Sequence, residues 1–423
     1  MGIFIKTVYG KEFQGFMGWN TGKFFMAALV FCCVICSATG CGEAKKEYNK
    51  AVELMESGKY EESLEHFADA VKKNSEKAEY YIAYGTALNR TGHYKEAASE
   101  FSKAYQDTDN QISRQNNKRL YLGQAVACYG MGENEKALEA CDKALSYGKD
   151  KDIDIKIQSI KASLKQLMGD AGGAEEIYNG IIKEDSSQDG IYLARGRLYQ
   201  IQGEDDKALK DYSNAIKVSG KCYDAYFAIY EIYTRLGDNR KAEDILKKLE
   251  GMEMETAEEI MQLGRVYYYK GDYKNAKTSL EKSVKGGCNE ALYYTGMVYM
   301  AEKDYNTAIS RFKEYVSTGS TEKAPEAYNQ IAGCYIELED FENASAYIDK
   351  GMDFGITNAG MVLGRNRVIL YERTGRYKKA KKAASLYLEK YPGDKEMEKE
   401  LGFIKTRIKT MQMAKNDTKG KQQ

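Results

Sequence analysis

Two histidines and a handful of cysteines are the side chains of this chain best suited to nucleophilic, acid–base or metal chemistry, and their spacing supports none of it. A catalytic imidazole needs a nucleophile or a carboxylate held beside it. His66 directly precedes the apolar Phe67 and His93 falls in a turn, so both read as surface or margin residues. Cys128, Cys141, Cys222, Cys288 and Cys334 are scattered, and no pair has the spacing of metal ligands. Cys128 and Cys141 could face each other across a helical hairpin as a disulfide, but small buried thiols are the simpler reading. No glycine-rich phosphate loop follows a strand, and the many carboxylates read as solvated helix faces. The sequence therefore predicts no enzyme, no cofactor and no metal site. What it holds in excess is tyrosine, 35 against a single Trp, with Tyr267, Tyr268, Tyr269 and Tyr273 crowded into the stretch VYYYKGDY.

The elements that must position these rings are set by a repeat. The GDY motif recurs as Gly58-Lys-Tyr60, Gly92-His-Tyr94, Gly132-Glu-Asn134, Gly169-Asp-Ala171, Gly203-Glu-Asp205, Gly237-Asp-Asn239, Gly271-Asp-Tyr273, Lys303-Asp-Tyr305, Glu339-Asp-Phe341 and Gly375-Arg-Tyr377. Five residues after each turn stands a small residue: Ser63, Ala97, Ala137, Ala174, Ala208, Ala242, Ala276, Ala308, Ala344 or Ala380. Seven before it stands another small one in most units, among them Gly85, Ala125, Ala162, Gly196, Gly264 and Ala332, with Tyr230 and Val368 as exceptions. Two antiparallel helices approach closely only where side chains are small, so these positions predict the crossing of a helical hairpin. Bulk fills the flanks: Tyr199, Tyr233, Tyr267, Tyr299, Tyr335 and Tyr371 four residues before the turn, and Phe67, Phe101, Cys141, Tyr178, Tyr212, Leu246, Leu280 and Phe312 nine after it. Tyr267 and Tyr273 are then seam residues, whereas Tyr268 and Tyr269 face an inner wall or the next unit.

This order of small, aromatic, turn, alanine and aromatic residues resembles the tetratricopeptide repeat. The resemblance covers residues 44–394 as ten units beginning near Ala44, Ala78, Lys118, Ile155, Asp189, Tyr223, Ala257, Asn289, Pro325 and Met361. It implies an all-α, right-handed superhelical solenoid of about ten hairpins. Lys165 stands where a large apolar residue belongs, which predicts looser stacking at 155–188, and the extra residues Gln106–Asn117 predict a longer loop or a helix extension. A terminal unit would expose its apolar flank, so Met397, Leu401, Ile404 and Ile408 at helical spacing predict a capping helix over 395–414, followed by a disordered tail at 415–423. Stacked hairpins of this kind imply a concave wall lined by first helices, suited to a peptide or partner protein. On this sequence the family's inward positions give the partner-binding candidates Tyr129, Arg197, Phe227, Met261, Arg265, Tyr268, Tyr293, Met297, Met300, Asn329 and Arg365, with Leu122, Gln200, Glu231, Ile336 and Arg373 beside them.

The two ends of the chain carry a different message. Lys23 precedes a charge-free apolar run from Phe24 to Cys36, followed by Ala38-Thr39-Gly40-Cys41. This resembles a bacterial lipoprotein signal, although Ala38 stands where such boxes more often have Leu. The resemblance implies removal of 1–40, lipidation at Cys41, a short lipidated terminus at 41–43, and an extracytoplasmic, membrane-anchored protein of the bacterial cell envelope. Twenty-three residues ahead of Phe24 are long for a leader, so Met17 is an alternative start to Met1. Lys and Arg balance Asp and Glu at 63 each, which argues against nucleic acid as a partner. The balance is uneven along the chain: from Arg365 onward 17 Lys or Arg face 7 Asp or Glu, a net of +10. The expected function is a non-catalytic, envelope-anchored scaffold holding a protein partner in its concave face. The alternative is a receptor for cell-wall glycan or anionic polymer using the basic C-terminal end.

Overall fold

Ten backbone positions with positive φ decide where the helices end. They are the ten turn positions of the repeat: Gly58, Gly92, Gly132, Gly169, Gly203, Gly237, Gly271 and Gly375 with φ from 67° to 86°, and Lys303 and Glu339 at 65° and 58°. The computed structural model describes residues 41–107, 110–319, 323–352, 358–391 and 393–420, and among these every regular element is helical. The left-handed residue closes each first helix in the same way. At Gly271 its own N–H donates to the Tyr268 carbonyl (3.0 Å) and the next N–H, of Asp272, reaches back to the Tyr267 carbonyl (2.9 Å). The same second bond recurs from His93 to Leu88, Glu204 to Tyr199, Asp238 to Tyr233, Asp304 to Tyr299 and Asp340 to Tyr335. The residue making it then starts the second helix: the Asp272 carboxylate accepts from the Asn275 N–H at 3.1 Å, and Asp170, Asp238, Asp304 and Asp340 cap their helices likewise.

The resulting helices are α1 (Cys41–Glu56), α2 (Tyr60–Lys73), α3 (Ala78–Arg90), α4 (Tyr94–Lys103), α5 (Gln111–Gly130), α6 (Asn134–Ser146), α7 (Lys151–Leu167), α8 (Ala171–Glu184), α9 (Asp189–Ile201), α10 (Asp205–Val218) and α11 (Tyr223–Arg235). They continue as α12 (Asn239–Glu250), α13 (Ala257–Tyr269), α14 (Tyr273–Lys285), α15 (Glu290–Ala301), α16 (Tyr305–Ser317), α17 (Ala324–Glu337), α18 (Phe341–Met352), α19 (Asn358–Arg373), α20 (Tyr377–Lys390) and α21 (Lys395–Gly420). They form two compact bodies, one ending at Val298 and one made of Tyr299–Val316 and the chain from Lys323. Within each body, successive helices pack in series as hairpins, the arrangement the repeat predicts. Residues 1–40, with the apolar run, lie outside the described residues.

The hairpin seam is built from absence facing bulk. A methyl group added at Gly196 would lie 2.6 Å from the Tyr212 ring, one at Gly264 2.6 Å from Leu280, and one at Gly85 2.9 Å from the Phe101 ring. Phe67, Phe101, Tyr178, Tyr212, Leu280 and Phe312 are buried in these seams beside Ala97, Ala174, Ala208, Ala276 and Ala308. Each contributes roughly 1.5–3 kcal/mol of apolar burial.

The departures from the repeat resolve individually. The extra residues before unit three become a helix extension: α5 starts at Gln111, its N-cap Asn110 accepting from Ser113 at 2.9 Å, and Asn117 clamps the backbone of Gln106 by its N–H (3.0 Å) and carbonyl (2.8 Å). In unit four Lys165 pairs with Asp170 at 2.6 Å, while Ile157, Leu164, Tyr178 and Ile181 are fully buried. Cys128 and Cys141 are free thiols, and burial pushes Cys141 up to about 12. The capping helix buries Met397 and Ile404 as expected, but continues to Gly420 instead of ending at 414, since no helix breaker stands between.

Lys303 and Glu339 hold a conformation that suits glycine, in which an L side chain costs about 1–2 kcal/mol, part of it offset by glycine's greater freedom when unfolded. Lys303→Gly and Glu339→Gly are each expected to stabilise the protein by about 0.5–1 kcal/mol, read as a higher urea midpoint; no shift in either would show that these turns are unstrained.

Candidate protein-interaction surface

The first helices of hairpins five to eight, α9, α11, α13 and α15, carry a ladder of charged and aromatic side chains. It begins with Asp224, the second residue of α11, where the helix N-terminus favours a carboxylate. Asp224 holds an arginine on each neighbouring first helix: Arg197 of α9 at 3.6 Å and Arg265 of α13 at 3.1 Å. Arg265 is the centre of the ladder. Its guanidinium carbon lies 4.0 Å from the ring centroid of Phe227 on α11 and 4.8 Å from that of Tyr294 on α15, and it donates to Gln262 at 2.8 Å. Only a planar, delocalised cation can stack on two rings while bonding at its edge, a geometry the point charge of lysine cannot reproduce. Arg265 is 4% exposed, and its Nε has no partner among the described residues.

The tyrosine cluster continues this wall. Tyr269 packs between units, its ring centroid 5.3 Å from Phe227 and 4.9 Å from Tyr230, and its hydroxyl donates to Glu231 at 3.1 Å. Burial, with Glu231 nearby, raises its phenol well above the usual value. Tyr268 lies edge-on to Tyr269 at 5.4 Å and 6.3 Å from Tyr273, half-buried, with its phenol pushed up to about 12 by burial. The cluster therefore divides. Tyr267 supplies a carbonyl to the turn, Tyr269 is the joint to the preceding unit, and Tyr268 packs on Tyr269 and on Tyr273 of the same hairpin.

Four of the predicted partner-binding residues need correction. Phe227, Met261, Arg265 and Tyr293 are buried between hairpins and present no side chain to a partner. Phe227 is one face of the arginine sandwich, Met261 sulfur meets the Cys288 thiol at 3.8 Å, and Tyr293 packs edge-on to Tyr294 at 5.4 Å. The family's inward positions carry bulky residues here that fill the space between first helices. Leu122 and Ile336 are buried in the same way. Arg197, Tyr268 and Met297 remain half-buried on the wall of the first body, and Tyr129 is half-buried on α5. Met300, Asn329 and Arg365 belong to the second body. There Asn329 accepts from Asn366 at 2.6 Å, and Arg365 bonds Asp394 at 2.7 Å and Tyr387 at 3.1 Å, which fixes the start of the capping helix.

Sequence reasoning missed Asp224, Gln262, Tyr230 and Tyr294. The available signal was charge: an acid in the first turn of one first helix and arginines on the two flanking ones invite a bridge across units. His66 is paired to Glu47 at 2.7 Å and His93 to Thr91 at 2.8 Å, both far along the chain from this wall. Among the described residues no three His, Cys, Asp or Glu side chains converge as metal ligands, and no helix is long and apolar enough to cross a membrane.

Comparison with known proteins agrees with this architecture. A tetratricopeptide-repeat family model matches residues 48–112 and 261–325, and a second matches 325–353. The BBSome complex member BBS4 homolog of Drosophila melanogaster is 23% identical over 74% of the chain, and the DnaJ protein P58IPK homolog of Arabidopsis thaliana is 22% identical over 59% of it. The chain spans 65% and 54% of the lengths of these relatives. Among solved structures, yeast Tom70 aligns over 93% of this chain and 92% of its own with a TM-score of 0.50 at 11% identity, a likeness of fold.

If the ring sandwich rather than the ion pair holds Arg265, the two partners respond differently. Arg265→Ala is expected to cost roughly 2–4 kcal/mol, since it empties a buried site and strands Gln262. Asp224→Asn, at a carboxylate 40% exposed, is expected to cost less than about 1 kcal/mol. Urea denaturation of both variants checks this, and equal losses would put the ion pair in charge.

Proposed function

Because the chain is built from tetratricopeptide repeats, we propose that it is a non-catalytic scaffold that holds a peptide or partner protein against the first-helix wall of its first body. The observation that supports this reading is that Tyr268 of α13 and Met297 of α15 stay half-buried on first helices whose Phe227, Arg265 and Tyr294 neighbours are buried. An aromatic ring and a flexible thioether make an adaptable contact surface. The underlying sandwich of Phe227, Arg265 and Tyr294 supplies rigidity, so little ordering entropy is lost on binding.

The proposal places this scaffold at a bacterial envelope. The apolar run Phe24–Cys36 and the box Ala38-Thr39-Gly40-Cys41 support a lipid anchor at Cys41 outside the cytoplasmic membrane, with 1–40 removed. Two or more acyl chains there would hold the solenoid at the membrane surface, where its partner is also expected.

Crosslinking in intact cells, comparing the wild-type chain with one carrying Tyr268→Ala and Met297→Ala, tests the wall. Loss of two such contacts is expected to lower recovery of the specific partner by roughly tenfold or more while leaving membrane association unchanged. Equal recovery of every partner from both chains would contradict it.

A further inference from the structure

We propose that the C-terminal hairpin, α20 with α21, is a docking surface for an anionic lipid bilayer. The inference goes beyond the scaffold reading and does not depend on it. α21 outruns its partner: α20 has 14 residues and α21 has 26, about 21 Å against about 39 Å of helix. Arg407 stands opposite the first residue of α20, its guanidinium 5.7 Å from the Tyr377 ring centroid and bonded to the Tyr377 hydroxyl at 3.4 Å. Beyond it, among the described side chains, Lys409, Thr410, Met411, Gln412 and Met413 are all exposed.

The two parts of α21 differ in chemistry as they differ in contact. The docked part carries Glu396, Glu398 and Glu400 and buries Met397 and Ile404. The part from Lys405 to Lys419 carries Lys405, Arg407, Lys409, Lys415 and Lys419 against Asp417. Phe403 (54% exposed), Met411 and Met413 are exposed along it, with Arg407 5.4 Å from the Phe403 ring centroid. Phe403, Arg407 and Met411 follow at i, i+4 and i+8, one stripe along the helix. On α20, Lys378, Lys381 and Lys382 are exposed next to Tyr377, and Leu386 follows them outward.

Charge complementarity names the occupant. These apolar side chains are single and set among cations. A folded protein partner would need a shape-matched, contiguous patch, whereas a bilayer interface accepts separate Phe and Met side chains between headgroups while Lys and Arg reach phosphates. The net +10 from Arg365 onward suits a surface of that sign.

The test uses the full chain with Phe403→Trp as reporter and Trp19→Phe to remove the natural indole, reconstituted in vesicles of phosphatidylcholine alone or mixed with phosphatidylglycerol. A blue-shifted emission, quenched by brominated lipid, is expected with the anionic vesicles only. It should fade with added salt, and each of Lys405→Gln and Lys409→Gln should weaken it roughly fivefold. Equal emission on the two vesicle types would overturn the proposal. So would the same shift produced by soluble polyphosphate while anionic vesicles leave it unmoved, or by raising protein concentration without vesicles.

Discussion

The close crossing of two helices, where a small residue on one faces bulk on the other, is the constraint on which this molecule rests. At the Gly196 and Tyr212 crossing the ring is fully buried against a position with no room for a methyl group. Glycine in a helix interior is intrinsically costly by about 1 kcal/mol relative to alanine. Its recurrence at Gly85, Gly196 and Gly264 is sensible only if packing returns more than propensity takes. The left-handed turn is the second half of the same constraint, because it reverses the chain in the few residues that keep the two small positions opposite each other.

Once hairpins pack this closely, first helices are brought side by side and their outward residues must be reconciled. In the first body they are reconciled by stitching: Asp224 between Arg197 and Arg265, Arg265 between Phe227 and Tyr294, Tyr269 onto Glu231. Charges that a sequence presents as free ligands are thus spent largely on neighbours. Tyr268 and Met297 stay half-buried on these helices, and the scaffold reading relies on them. In the second body Arg365, Tyr387 and Asp394 perform the same stitching at the last joint, so the capping helix is seated by a polar network as well as by Met397 and Ile404.

The fold was legible because its determinants are local and repeated. Each turn glycine and each alanine five residues later reports one hairpin, and even Lys303 and Glu339 were identified as turn positions through register alone, with positive φ as the outcome. The wall was less legible. Inward positions of a repeat say which way a side chain sets out from its helix, not how far the next helix stands, and a long side chain such as Arg265 or a ring such as Phe227 fills that gap. Burial at such a position depends on a neighbour 41 residues away along the chain, Asp224 for Arg265, which no local pattern encodes. The end of α21 is less legible for a related reason: polar composition reads as a tail, yet no glycine or proline interrupts Ala414–Thr418.

Gly196→Ala tests the central constraint most directly, because two effects predict opposite signs. Helix propensity alone would stabilise the protein by about 1 kcal/mol. The close crossing predicts a loss of roughly 1–3 kcal/mol, since the new methyl group would lie 2.6 Å from the Tyr212 ring. A lowered urea midpoint, partly recovered when Tyr212→Leu is combined with Gly196→Ala, is the result this account predicts; a raised midpoint for Gly196→Ala alone would contradict it.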